Sequence, residues 1–304
     1  MSVKENLIEN FKDNEQFTLK DAYKANPDTP TDSVRARIYE NLGIVFEKVK
    51  RGIFKVVHEN ETCILIEGDG RDLSFLEDES IDCIITDHPW EDKAANKGGS
   101  RNFAKYDCFR YEQKDFDEKA RVLKNGCFMV EFIPTEKATN YEYLYELKQM
   151  AKNAGFEYYA KIPWKKGTFV SNTGRTAKNM EDVMIFTKGK ARELRPDRMK
   201  DKADPSVKHL MSGAAGMLPA IFDHQPPSKK ERIHQAEKPV SLIEEILKFI
   251  TLEYEIVLDQ FAGSGVVGEA CINMDRKAIL IEKDSDNCEN INNRLMKAEM
   301  RKAI

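Results

Sequence analysis

The segment EIVLDQFAGSGVVGEACINM sets the tightest limit on what this chain can fold into. Gly263, Gly265 and Gly268 form a G-x-G-x-x-G run directly after an apolar strand-like stretch and at the head of a helix. Glu282 ends the next strand-like run, about 20 residues beyond the first glycine. Glycines at this spacing let the backbone turn tightly and approach a ligand, and an acid at the next strand end can bind ribose hydroxyls. Only 22 residues follow Glu282. They are too few for the remaining strands of a dinucleotide fold built forward from the loop, so the rest of the sheet is expected from earlier residues. That order speaks against a nicotinamide dehydrogenase.

The residues before the loop fit that expectation. CILIEG and IDCIITD are strand candidates, KDFDEKARVLK reads as a helix, and GCFMVEF is an apolar strand. YEYLYELKQMAKNAGF has helical spacing and ends at Gly155, a C-cap residue. FEYYAKIPW and DVMIFTK are strand-like, PVSLIEEILKFIT is an amphipathic helix, and EIVLD and AILIE flank the glycine loop as strands. Strands alternating with helices predict an α/β, mainly parallel sheet over residues 59–304. The stretch 189–236 is charged, basic and aperiodic, which marks a functional loop or a solvated one.

Residues 1–58 read as a separate unit. Leu7 and Phe11, then Leu19 and Tyr23, sit at helical spacing, and Thr31 or Asp32 is expected to cap a helix striped by Val34, Ile38 and Leu42. IVFEKV and IFKVV, joined at Lys50-Arg51-Gly52, predict a hairpin. Helices followed by a basic-tipped hairpin look like a winged helix-turn-helix, with Arg35 and Arg37 on the recognition helix and Lys48, Lys50 and Arg51 on the wing. The plain alternative is a packing or dimerisation module with solvated charges, which keeps a homodimer open.

The strand IDCIITD runs into Asp87-His88-Pro89-Trp90. Here the sequence resembles the amino-methyltransferases, which methylate exocyclic amines of adenine or cytosine from S-adenosylmethionine. Their catalytic motif [DNS]-P-P-[YFW] corresponds to Asp87-His88-Pro89-Trp90, and their cofactor motif D-P-F-x-G-[ST]-G to Asp259-Gln260-Phe261-Ala262-Gly263-Ser264-Gly265. Their K-P element corresponds to Lys238-Pro239, and GDGRDLSFLEDESIDCIITD, with Asp69 and Asp72, resembles their lead into the catalytic strand. Catalytic motif first and cofactor loop last is the circularly permuted order of the β class, over about residues 63–298.

The resemblance implies a Rossmann-like domain using S-adenosylmethionine. Phe261, Gly263 and Gly265 would approach the cofactor and Glu282 would take its ribose hydroxyls. Asp259 and Lys238 would lie near its methionine end, with Asp69 a weaker candidate. Aspartate in the first motif position resembles N6-adenine enzymes more than N4-cytosine enzymes. Trp90 resembles the D-P-P-W of RNA N6-adenine enzymes and keeps RNA in view. Two departures stand out: His88 replaces the first proline of the catalytic motif, and Gln260 the proline before Phe261. The first flanks the catalytic carbonyl, so altered substrate choice, or a DNA-binding protein that has lost activity, remains open.

The chemistry also follows from the residue types. An exocyclic amine is conjugated with its ring and nucleophilically weak. Hydrogen bonds from its N–H groups to the Asp87 carboxylate and the His88 carbonyl would localise the lone pair. The base must leave the duplex to be reached, and Trp90 could stack on it for about 1–3 kcal/mol. No proline precedes a cysteine, so the Pro-Cys nucleophile of C5-cytosine methyltransferases is absent.

With a net charge of −4, any surface for double-stranded DNA must be a local patch. The loop after Trp90 offers Lys97, Arg101 and Lys105, with Phe103 and Tyr106 between them. Region 189–236 is where β-class enzymes place target recognition. Six scattered cysteines and five histidines lack ligand spacing, so no metal is expected. No apolar run approaches membrane-spanning length and the N-terminus lacks a signal-peptide pattern, so a cytoplasmic protein is expected.

Overall fold

Residues 3–11, 16–40, 46–50, 52–56, 62–90, 108–167, 180–194, 217–228, 232 and 237–302 are described by the computed structural model. The chain divides into two units, Met1–Glu61 and Thr62–Ile304.

The first unit contains α1 (Val3–Asn10), β1 (Gln16–Thr18), α2 (Leu19–Ala25), α3 (Thr31–Glu40), β2 (Phe46–Lys50) and β3 (Ile53–Val56). Thr18 caps α2 in a reciprocal box with Asp21, accepting the Asp21 N–H at 3.3 Å while the Asp21 carboxylate accepts the Thr18 N–H at 2.9 Å. Helix α3 already begins at Thr31, and the N–H of Ser33 and Val34 reach the Pro30 carbonyl. Thr31 and Asp32 are therefore first-turn residues, not the cap, because Pro30 pre-sets the turn that starts the helix. The strands form an antiparallel sheet in the order β1-β3-β2. Strand β1 is three residues long, too short for alternation to announce it.

Leu7, Phe17, Ala22, Val34, Ile38, Phe46, Phe54 and Val56 are this unit's own core. Arg35, Arg37, Lys48 and Lys50 lie on its exposed face. Leu42 and Arg51 fall outside the described residues.

The second unit comprises β4 (Cys63–Glu67), β5 (Ile81–Thr86), α4 (Gln113–Val122), β6 (Leu123–Pro134), α5 (Tyr141–Asn153), β7 (Phe156–Lys165), β8 (Met180–Lys188), β9 (Phe222–Asp223), α6 (Val240–Ile250), β10 (Ile256–Asp259), α7 (Val266–Asn273), β11 (Lys277–Glu282) and α8 (Ser285–Lys302). Its sheet runs β4-β11-β10-β5-β6-β8-β7-β9. Pairing is parallel from β4 through β6, while β8 is antiparallel to both β6 and β7. The two strands that flank the glycine loop thus insert between strands from earlier in the chain. Strand β5 is buried at every position, as a central parallel strand covered on both faces must be.

One sheet face packs α6, α7 and α8, with Leu242, Ile246, Val257, Leu280 and Ile291 in one apolar cluster. The cluster on the other face joins Phe116 of α4 and Leu147 of α5 to Ile84, Met129 and Leu258. At Gly70 an added Cβ would lie 1.8 Å from the Gln260 carbonyl oxygen, so the turn after β4 touches the glycine loop at a point no side chain can occupy.

Because Phe54 is fully buried within a small isolated core, Phe54→Ala should cost the first unit about 3–5 kcal/mol. Hydrogen exchange should rise across residues 3–56 while protection of β5, β6 and β10 stays at the parent level.

Candidate active site

Parallel pairing of β5 with β10, Val257 opposite Cys83 and Leu258 opposite Ile84, brings two strand ends side by side. Asp87 leaves one end and Asp259 the other, and both line a single cleft with Phe261, Gly263 and Lys238. Past Asp259 the chain turns through Gly263 and Gly265, whose φ values of 53° and 73° are in the left-handed region. Gly265 is the N-cap of α7. An added Cβ on Gly265 would press Ile291 at 2.8 Å, so glycine here also lets α7 pack on α8. Glu282 accepts the Gly263 N–H at 2.7 Å and the Asp284 N–H at 2.9 Å, tying the strand-end acid to the loop.

Arg294 of α8 secures the cleft from behind. Its guanidinium donates to Glu237 at 2.5 Å, to the Ser264 carbonyl at 2.8 Å and to Glu269 at 2.5 Å. Three segments, namely the approach to α6, the glycine loop and α7, are therefore held by one planar donor fork.

Lys238, almost fully buried, pairs with Asp87 and lies 3.5 Å from Glu181 of β8. Burial pulls this lysine down, but the two carboxylates outweigh it and hold its pKa above the ordinary range. Asp87 moves the same way: burial raises it, Lys238 opposes, and Glu181 adds repulsion. Burial pushes Asp259 to about 7, against the N–H of Phe261 and with help from Asp87 and Glu282. An acidic cleft with raised carboxylates is tuned for a cationic ligand, whose charge would return both groups to the ionised form. Thr86 also lines the cleft, and its hydroxyl works against the rise of Asp259.

The structure thus brings Asp87, Lys238, Asp259, Phe261 and Gly263 together, with Gly265 capping α7 beneath them. Pro89 and Trp90 continue from Asp87, and the Trp90 indole N–H donates to the Phe132 carbonyl at 3.3 Å. Asp69 is exposed and its carboxylate accepts the Arg71 N–H at 3.0 Å, while the carbonyl of the neighbouring Gly70 accepts the Gln260 side-chain N–H at 2.7 Å. The side chain of His88 is buried away from solvent. Lys97, Arg101 and Lys105 lie outside the described residues, as does most of 189–236.

Sequence reasoning missed Glu181, Glu131, Lys119 and Tyr143. Glu131 carried a usable signal, since an acid inside the apolar run CFMVEF needs a buried partner. Glu181 sits at a strand edge and carried none.

The family model for DNA methylases with N6 and N4 amine specificity matches residues 81–293. The chain belongs to this DNA methylase family. Type II methyltransferase M.HpaI of Haemophilus parainfluenzae is 29% identical over 229 residues, covering 73% of this chain and 70% of that protein. Among solved structures, the M1.HpyAVI–SAM complex has a TM-score of 0.54 at 22% identity, covering 77% of this chain and 98% of that one. The PvuII DNA methyltransferase, described as cytosine-N4-specific, has a TM-score of 0.56 at 16% identity, covering 79% and 92%. These likenesses bear out the methyltransferase fold of the second unit and leave the winged-helix reading of the first where it was. S-adenosylmethionine is the cofactor of this family, and its sulfonium and ammonium charges match a cleft lined by Asp87, Glu237 and Asp259. Among the described residues, no helix is long and apolar enough to cross a membrane.

Because Asp259 rises from its ordinary 3.8 to about 7, the free protein should lose stability as pH climbs through that window. Binding a cation reverses the preference. Cofactor affinity should be highest above pH 7 and weaken below it by at most about tenfold per pH unit. Asp259→Asn should flatten the profile. Calorimetric titrations between about pH 6 and 8.5 would read both effects; a parent profile already flat contradicts the assignment.

Proposed function

We propose that this chain methylates the exocyclic N6 amine of adenine in double-stranded DNA, at a specific sequence, with the target base flipped out of the helix. The observation that carries this reading is the convergence of Asp87 and the glycine loop on one cleft. When bound, S-adenosylmethionine supplies an activated methyl group. Asp87 and the His88 carbonyl accept the two N–H groups of the amine and localise its lone pair. Asp87, with its raised pKa, then takes the proton that the methylated amine must lose. For this the amine must displace Lys238 from Asp87, and Glu181 gives that lysine a second carboxylate 3.5 Å away. Trp90, half-buried and anchored through its indole N–H, offers a face for the base to stack on.

Adenine is favoured over cytosine by the aspartate at position 87, since N4-cytosine enzymes often carry serine there. Asp259, Phe261, Gly263, Gly265, Glu282 and Lys238 form the cofactor side of the cleft in this reading. The likeness to a Type II methyltransferase supports a place in restriction–modification, in the cytoplasm. Region 189–236 and the loop bearing Lys97, Arg101 and Lys105 are assigned to target recognition and phosphate contact. For the first unit, the exposed Arg35 and Arg37 of α3, with Lys48 and Lys50 of the hairpin, support a winged-helix contact to DNA.

Labelled methyl from S-adenosylmethionine should enter duplex DNA and appear as N6-methyladenine on nucleoside analysis; N4-methylcytosine, or label in RNA alone, would overturn the substrate assignment. Asp87→Ala should lower turnover at least about 100-fold while cofactor and DNA binding persist. Removing residues 1–58 should weaken DNA binding and flatten its salt dependence; an unchanged salt slope would assign that unit to protein contacts instead.

A further inference from the structure

The carbonyl that receives the target amine belongs to His88, where the family pattern has a proline. A proline fixes its own φ near −65° covalently. Histidine has no such ring, so the path of the backbone beside Asp87 must be held by something else.

The structure shows what surrounds it. The His88 side chain is 1% exposed. Its ring lies 3.9 Å from the Trp90 ring and 4.2 Å from that of Tyr111, centre to centre. Nε2 is 3.2 Å from the Tyr143 hydroxyl, which already accepts the Tyr111 backbone N–H at 2.9 Å. The hydroxyl has one proton that it can give to Nε2, and the Glu131 carboxylate facing Nδ1 favours the tautomer with the histidine proton on that nitrogen. Nδ1 faces Glu131 Oε2 at 3.9 Å, and neither atom has another partner among the described residues. Glu131 is fully buried opposite Thr86 on the neighbouring strand, and it pairs with Lys119, also fully buried, and takes the Tyr111 hydroxyl proton at 3.3 Å. Burial keeps His88 below its ordinary pKa, partly opposed by Glu131, so the ring stays neutral and the tautomer argument holds at working pH.

An ion pair with no exposure, set behind a catalytic strand end, is costly unless its geometry serves a purpose. We propose that His88 is a positioning residue: its buried contacts with Tyr143, Tyr111 and Glu131 hold the amine-accepting carbonyl in the place that a proline ring would otherwise fix. The same contacts set Trp90, which packs against the His88 ring at a tilt of 46° and meets Tyr143 edge-on at 5.4 Å between centres. This inference rests on the catalytic reading of Asp87 and assigns the support that reading lacks.

The test is a set of variants in the full chain, assayed on duplex DNA, with melting temperature and S-adenosylmethionine affinity measured beside kcat and KM. His88→Ala should lower kcat by about 100-fold, the penalty of a misplaced reacting group, with cofactor affinity changed little. His88→Pro should recover most of that loss, because the ring restores the constraint without the network. Tyr143→Phe keeps the ring packing and removes both the hydroxyl's contact with Nε2 and its acceptor for the Tyr111 N–H; the second loss is common to every background, so the difference between backgrounds reports the His88 contact. Tyr143→Phe should lower kcat about tenfold in the parent, within the range for a displaced catalytic group, and by much less in the His88→Pro background. Should His88→Ala melt, that background dependence of Tyr143→Phe carries the decision alone. An equal loss from Tyr143→Phe in both backgrounds, or His88→Pro as inactive as His88→Ala, would overturn the proposal. Asp87→Ala separates the two readings. If it is inactive while His88→Ala is fully active, only the positioning role fails. If it is as active as the parent, the catalytic reading fails and takes the positioning role with it.

Discussion

The site depends on two parallel strands ending side by side. Strand β5 delivers Asp87 and strand β10 delivers Asp259 and the glycine loop, and their pairing is the contact that makes one cleft from segments about 170 residues apart in sequence. Parallel strands need crossovers, so α6 and α7 must cover one face while α4 and α5 cover the other. Those four helices supply the apolar mass that keeps the strand ends level. The placement of a methyl acceptor next to a cofactor loop is therefore a property of the sheet, and the loops only finish it.

Charge works against this arrangement and is managed locally. Asp87, Asp259, Glu181 and Glu237 crowd around the cleft, while Lys238 and Arg294 answer them from the K-P turn and from α8. Burial, with the neighbouring carboxylates adding to it, leaves Asp87 and Asp259 raised, a strain relieved when positive charge enters. Arg294 resolves its share with three donors on three segments, so its removal would loosen the glycine loop and the approach to α6 at once. Lys238 differs because it is shared between two carboxylates, Asp87 and Glu181.

Much of this is legible in the chain. The glycine spacing, the acid at Glu282 and the apolar run ending at Asp87 are local signals that mark the two strand ends, and the order of the two motifs along the chain matches the observed strand order. Residues whose roles depend on tertiary pairing are not legible in the same way. Glu181 becomes a partner for Lys238 only when β8 folds back antiparallel beside β6. Tyr143 reads as one more apolar-face residue of α5 until its hydroxyl meets His88. The close approach of the turn after β4 to the glycine loop is made by Gly70, which has no side chain to read. The departure at His88 was visible at once, but its compensation lies on β6, α4 and α5.

Direct transfer within one cleft is the central claim, and a single-turnover experiment tests it most directly. Protein preloaded with methyl-labelled S-adenosylmethionine is mixed with duplex DNA and excess unlabelled cofactor, and label is followed in DNA and in protein over time. The account predicts label passing into the DNA with none on the protein at any point. Label bound covalently to the protein, or reaching DNA only after the preloaded cofactor has exchanged with the unlabelled pool, would contradict it.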